Sequence, residues 1–173
     1  MIAPSDAWRR ALELRSAPAV RDGALAAARV ALAWLFIYHG ASTLFGAFHG
    51  AGIHRMAVFF STVAHLHPGT FFAVLNGITE FFGGIAVGVG LLSRLAAVGL
   101  FFDMVIAMAT VTFGNGIVSN AVGSGYELNV ALAGLALVVA FLGAGRISVD
   151  AWIGGLLAKR ASRRLEPLPA PSP

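Results

Sequence analysis

The chain of 173 residues contains no cysteine and has little charge, with 12 Lys and Arg against 8 Asp and Glu. The missing cysteine excludes thiol catalysis, CxxC redox chemistry, thiolate zinc sites and cysteine-ligated iron–sulfur clusters. A soluble domain has about 25% charged and roughly 45–50% apolar residues. Here 12% are charged, 58% are apolar, and the mean hydropathy is +0.81. That composition excludes a disordered chain, a secreted disulfide scaffold and a conventional soluble enzyme. The net charge of +4 gathers at the chain ends and forms no nucleic-acid-binding stripe. Alternating ten-residue strands, the mark of a membrane barrel, are also missing.

What is present is a set of long apolar runs. About 20 apolar residues cross the roughly 30 Å hydrocarbon core of a bilayer. Four segments qualify: Ala24 to Phe48, Thr70 to Leu92, Leu95 to Gly114, and Tyr126 to Gly145. With no water to satisfy their backbone, such runs must be helices. The expected fold is therefore all-α: a polytopic four-transmembrane-helix bundle with amphipathic interfacial helices at both termini. The first span follows a charged leader and exceeds a signal-peptide core of about 7–15 residues, so it reads as a retained anchor.

Four regions follow from this reading. Residues 1–23 form a cytoplasmic amphipathic leader, with Trp8 and Leu12 near Arg9 and Arg15. Residues 24–146 form the membrane domain. Residues 147–166 form a cytoplasmic amphipathic helix, with Trp152, Ile153, Leu156 and Leu157 beside a basic face of Lys159, Arg160, Arg163 and Arg164. That basic face suits anionic headgroups. Residues 167–173 are expected to be a disordered tail. Residues 51–67 read either as an outer-face helix or as a shallow re-entrant piece, ended by Pro68 and Gly69. Eleven of the twelve Lys and Arg residues fall before or just inside the first span, in the second-to-third turn, or after the fourth; only Arg55 lies on the other side. The positive-inside bias places both termini in the cytoplasm.

Three ionisable residues fall deep within the spans. At 1.5 Å per residue, Glu80 lies roughly 15 Å and His39 roughly 14 Å from the outer edge, and Asp103 roughly 12 Å from the inner edge. An ionisable side chain there costs at least about 2.5–3.5 kcal/mol, so it should face the bundle interior, paired or neutral. His39 is the expected partner of Glu80, and Arg29 can snorkel toward Asp103. Small and polar residues mark the expected inward faces: Asn76, Glu80, Gly83 and Gly84; Gly99, Asp103, Ala107, Thr110 and Gly114; and Glu127, Ala131, Gly134 and Val138. Glu127 beside Tyr126 sits at the outer mouth and reads as a helix N-terminal acid. These polar groups either tie helices together or form a proton-handling or ligand-contacting site.

Other patterns carry less. His65-Leu66-His67 with His49 and His54 reads as solvated loop histidines, with no metal assigned. His39 lacks a second intramembrane histidine with which to hold haem. GGIAVGVG and NGIVSNAVGSG lack the GK[ST] of a phosphate loop and read as packing and loop glycines. No serine nucleophile with its histidine and acid is identifiable.

Three blocks of sequence resemble one family. Arg29 through Leu44 is similar to the first-helix pattern of the DoxX family. Glu80-Phe81-Phe82-Gly83-Gly84, followed by Gly90-Leu91-Leu92-Ser93-Arg94-Leu95-Ala96-Ala97, resembles its E-x-x-G-G … G-L-x-x-R-x-A-A pattern. Tyr126-Glu127-Leu128, followed by Gly143-Ala144-Gly145-Arg146-Ile147-Ser148-Val149-Asp150, resembles its fourth-helix start and G-x-G-R-x-S-x-D end. The resemblance implies a multi-pass protein of the bacterial cytoplasmic membrane, associated with redox processes. One branch of the family is a subunit of thiosulfate:quinone oxidoreductase. Another acts in oxidative-stress defence with a superoxide dismutase and a sulfurtransferase. Members often carry a lysine where this chain has Thr43, so a fixed Lys–Glu80 pair is not available here.

The combined expectation is a membrane subunit that assists quinone-linked or oxidant-handling chemistry. A quinone or other lipophile would occupy the polar seam, with no covalent cofactor. His39 and Glu80 would contact its oxygen, and Asp103 and Arg29 would link the seam to the cytoplasmic side. Electrons would come from a redox protein partner, so a standalone enzyme is not expected. A homo-oligomer is compatible with the glycine-lined faces, including Gly84-x-x-x-Gly88. A non-enzymatic membrane scaffold and a small lipid or solute carrier are the alternatives.

Overall fold

A computed structural model describes residues 18–120 and 123–165. The expected amphipathic leader through residue 17 and the tail from residue 166 lie outside the described residues. Among the described residues the fold is all-helical, with no strand. Helix α1 spans Pro18–Phe45, α2 Gly52–Thr62, α3 Gly69–Val89, α4 Ser93–Ala107, α5 Glu127–Leu142 and α6 Val149–Leu165. A π-helical turn at Met108–Thr112 and a 3-10 turn at Phe113–Asn115 prolong α4. Three helices are long and apolar enough to cross a membrane: α1, α3 and the α4 rod through Asn115. The expected fourth span is shorter than the others; α5 has 16 residues.

Local chemistry explains the boundaries. Helix α1 is already formed at Pro18, six residues before the span expected from Ala24; the preset φ of proline suits a helical turn there. It ends at Phe45 and not Phe48, because Gly46 takes a left-handed conformation. At the end of α3, Gly90 is left-handed with φ 78°. The Leu91 N–H donates to Ala86 O at 2.9 Å and the Gly90 N–H to Val87 O at 3.2 Å, which makes a Schellman turn. The segment at 51–67 resolves into α2, an 11-residue helix packed on α3 and α1.

Helix α3 lies at the centre. It packs most extensively on α1, and α4 pairs with both α3 and α5. The α1–α3 approach depends on glycine: a Cβ on Gly40 would collide with the backbone of Phe81, and one on Gly88 would lie 2.8 Å from Ala33 Cβ. Gly84 meets Phe36 and Ile37 in the same seam. The Gly84 and Gly88 pair, considered above as a face for a second copy, is therefore used within the chain. The core consists of Leu32, Phe36, Val87, Ala97, Leu100, Met104, Ala136 and Val139.

Two expected inward faces need correction. In α5 the expected stripe of Glu127, Ala131, Gly134 and Val138 is exposed, and Ala136 and Val139 are buried instead. Leu132, Ala133, Leu135 and Ala140 pack partly buried beside them, while Leu128, Val130 and Phe141 are exposed with the expected stripe, so residue size does not mark the inward face of α5. In α4 the core face is Ala97, Leu100 and Met104, while Gly99, Asp103, Ala107 and Thr110 line a cavity; Gly114 is exposed.

Candidate functional site

Two polar constellations occupy opposite ends of the bundle. The first is a cavity of about 450 Å³ between α1, α2, α3 and α4. Its walls are mainly apolar, with Phe72, Leu75, Phe102 and Ile106 along the rods and Met56, Phe59, Phe60 and Leu66 contributed by α2 and the loop after it. Glu80, Asn76 and Asp103 supply its polar floor, with Thr43, Thr79, Thr110 and Thr112 around it. Helical geometry places Asn76 one turn before Glu80 on the same face of α3.

The Asn76 Nδ2 donates to Asp103 Oδ1 at 2.9 Å, tying α3 to α4 one helical turn from Glu80. The cavity thus brings together two buried acids that sequence reading placed separately, with Asn76 bonded to one of them. The Glu80 side chain is buried. The second Asp103 oxygen, Oδ2, is buried with no hydrogen-bond partner among the described residues. A buried acceptor left unmatched costs about 1–3 kcal/mol, so this atom favours the arrival of a donor.

His39 lines the same cavity but is exposed, with Tyr38 edge-on at 5.6 Å. No hydrogen bond or ion pair joins it to Glu80 among the described residues, so the expected pair is not formed. With α1 ending at Phe45, His39 sits only six residues from the helix end, roughly 9 Å. It lies nearer the rim than the sequence-based depth implied.

The π-helical turn at Met108–Thr112 falls beside the cavity, and Thr110, Val111 and Thr112 all line it. Thr112 donates to Asn129 Oδ1 at 3.1 Å, and the Asn129 amide contacts Met104 Sδ at 3.6 Å. Sequence reading missed Asn129; an amide in an otherwise apolar helix was its one visible signal. Tyr126 stacks on Phe113 with centroids 5.6 Å apart. Glu127 is exposed in the first turn of α5, where its carboxylate receives the Ser119 N–H at 3.4 Å. An acid at that position suits the helix dipole.

The second constellation is a clasp at the other end. Arg29 does not approach Asp103 as expected. Its guanidinium is buried, with Nε donating to Val87 O at 2.9 Å, Nη2 to Gly88 O at 2.8 Å, and Nη1 to Ala144 O at 2.5 Å and Ile147 O at 2.8 Å. The last carbonyls of a helix have no internal partners. One arginine therefore ties the end of α3 to the segment after α5.

Asp150 completes the clasp from the other direction. Leu92 precedes α4 in a left-handed conformation and supplies no cap of its own. Instead Asp150 Oδ1 accepts the Leu92 N–H at 2.8 Å, and Oδ2 accepts the Ser93 N–H and hydroxyl, each at 3.2 Å. Burial alone would raise the Asp150 pKa. The hydrogen bonds from Leu92 and Ser93, with the nearby Arg29 charge, outweigh it and hold the carboxyl below its ordinary range. Within the same motif Ser148 donates to Gly145 O at 2.8 Å, and the Arg146 N–H reaches Asp22 at 3.1 Å. The Arg94 side chain is exposed and runs beside Gly143. Gly83 approaches Leu100 in the α3–α4 seam.

These features define a class: a multi-pass helical membrane protein with a polar-floored chamber between its helices. The DoxX family model matches residues 24–113, just over half of the chain. The chain belongs to the DoxX family. No curated protein and no solved structure matches it. The family match ends before α5 and the clasp motif, so those parts are described from this structure alone.

Proposed function

We propose that the chamber binds a membrane quinone in its reduced form, or a related phenolic lipophile, as part of quinone-linked or oxidant-handling redox chemistry in the bacterial cytoplasmic membrane. The observation that carries this reading is the unpartnered Oδ2 of Asp103, a residue that lines an apolar cavity. The chamber is rich in acceptors: Glu80 and Asp103 are both carboxyl groups, and the Asn76 amide is already engaged with Asp103 Oδ1. The Thr110 and Thr112 hydroxyls are likewise engaged, with Ile106 O and Asn129. A ligand that brings its own hydroxyl matches this floor, and a quinol does so while its ring meets Phe72 and Phe102. A quinone carbonyl brings only a further acceptor.

In this reading Asp103 and Glu80 hold one hydroxyl and take its proton when the ligand is oxidised, and the proton of the second hydroxyl leaves at the rim, where His39 lines the cavity. The two electrons pass to a partner redox protein. His39 at the rim is a second polar contact for the head group. Both termini lie in the cytoplasm, as the distribution of Lys and Arg favours.

The test is equilibrium binding of a short-chain ubiquinol and its quinone to the purified protein in lipid nanodiscs. The quinol binds more tightly. Asp103→Asn, which turns the unmatched acceptor toward a donor, weakens quinol binding about tenfold or more. Unaltered elution as a folded particle shows that the variant remains intact. Absence of binding by either form, or an unchanged affinity in Asp103→Asn, overturns the proposal.

A further inference from the structure

Helix α6 begins at a defined height in the membrane. Its first-turn residue Asp150 is bonded to Leu92 and Ser93, in the turn that joins two membrane-crossing rods. The start of α6 therefore lies at the edge of the hydrocarbon. Every side chain from Ala151 to Ser162 is exposed. Trp152 is 66% exposed and Leu157 58%, which is apolar surface without protein cover.

The register of α6 refines the expected amphipathic pattern. At 3.6 residues per turn, Trp152, Ile153, Leu156 and Leu157 project within the same half of the circumference as Lys159 and Arg160. Arg163 and Arg164 occupy register positions in that half as well. The opposite half carries only small side chains, from Ala151 and Gly154 through Ala158 to Ser162. Apolar and cationic residues are thus separated along the axis of one face, the apolar ones nearer the clasp.

We infer that α6 lies flat on the inner leaflet with this face against anionic lipid. The first two turns enter the acyl boundary, where Trp152 finds an interface suited to an amphipathic ring. The later turns extend their aliphatic stems along the surface and place their charges among headgroup phosphates. The small-residue face looks into water. Charge complementarity supports this occupant: Arg21, Arg94 and Arg146 are exposed at the same end of the bundle, whereas among the described Lys and Arg residues only Arg55 lies at the other. This inference stands independently of what the chamber binds.

The absence of native cysteine makes the test direct. Leu156→Cys and Ala158→Cys, on opposite faces of α6, are introduced separately into the full chain. Each is reconstituted in nanodiscs of phosphatidylcholine alone or mixed with phosphatidylglycerol, and labelled with a membrane-impermeant maleimide. In the anionic discs the cysteine at 156 reacts about tenfold or more slowly than that at 158, since each cation near an anionic surface strengthens binding on the order of fivefold. The difference narrows in phosphatidylcholine, and replacing Lys159, Arg160, Arg163 and Arg164 with Gln abolishes the lipid dependence. Equal reactivity of the two positions in anionic discs overturns the inference. So does protection of position 156 that ignores both lipid charge and the four cations. Preferential protection of position 158 with disulfide cross-linking between copies also overturns it, by assigning the helix to a second copy.

Discussion

At the scale of single residues, the most consequential side chain is Arg29. A guanidinium offers five donors in a fixed plane, and here it serves four carbonyls from two segments. Arg29→Lys keeps the charge but lacks the planar fork, so some of those carbonyls lose their donor. The expected loss of stability is about 2–3 kcal/mol, and Arg29→Met loses more. Thermal unfolding in detergent measures it, and an Arg29→Met protein as stable as the parent would refute the clasp. Asp150 adds a pH dependence whose sign follows from its lowered pKa. Its folded pKa lies below the unfolded value of about 3.9, so its contribution is fully present above that pH. The contribution is lost as the pH falls through the lowered folded value. Melting temperatures measured down an acid series therefore fall less steeply for Asp150→Asn than for the parent; parallel curves would show that the carboxylate is not held as described. The sequence made both residues visible as members of a pattern, but their roles depend on atoms more than fifty positions away. A long side chain in an apolar run does not announce whether it snorkels to water or turns inward to carbonyls.

At the scale of elements, glycines divide by what faces them. A side chain at Gly84 meets Ile37 N at 3.0 Å and Phe36 Cβ at 3.1 Å, whereas one at Gly134 meets nothing within 4 Å. Gly84→Leu should force α1 and α3 apart and cost about 1–3 kcal/mol. Gly134→Ala should be neutral or stabilise by up to about 1 kcal/mol, through helix propensity alone. The two variants are compared by thermal unfolding; equal destabilisation would mean that α5 presents Gly134 inward after all. Sequence reading put both glycines on inward faces. It succeeded for α3, whose small residues meet a close neighbour. It failed for α5, because burial there is carried by Ala136 and Val139 with Leu132, Ala133, Leu135 and Ala140 beside them, and hydrophobicity does not distinguish lipid from core when both are apolar. The chamber was half legible for the same reason. Glu80 and Asp103 stood out because charge is costly in oil. The aromatic roof from α2 consists of ordinary apolar residues, and the widened turn at Met108–Thr112 of apolar residues and two threonines, whose role depends on packing.

At the scale of the whole molecule, the open question is how α5 relates to the bilayer. Its 16 residues cover roughly 24 Å, less than a hydrocarbon core of about 30 Å. Yet its two ends are tied to opposite ends of the bundle. The Glu127 N–H donates to Ile117 O, in the loop that follows the α4 rod. Beyond its other end, Ala144 O receives Arg29 and the Arg146 N–H reaches Asp22 near the start of α1. A helix held between those two points must traverse the bundle, and a short apolar stretch can be accommodated by local bilayer thinning at a fraction of a kcal/mol per Å. The expected topology therefore has four crossings, with the loop at residues 116–120 and helix α6 on opposite sides. Val118→Cys and Ala158→Cys, introduced separately into the cysteine-free chain, test it in sealed spheroplasts. An impermeant maleimide should label position 118 in intact cells and position 158 only after lysis. Labelling of both positions before lysis would mean that α5 does not cross, and the clasp joining Arg29 to the segment after α5 could not then form in the membrane.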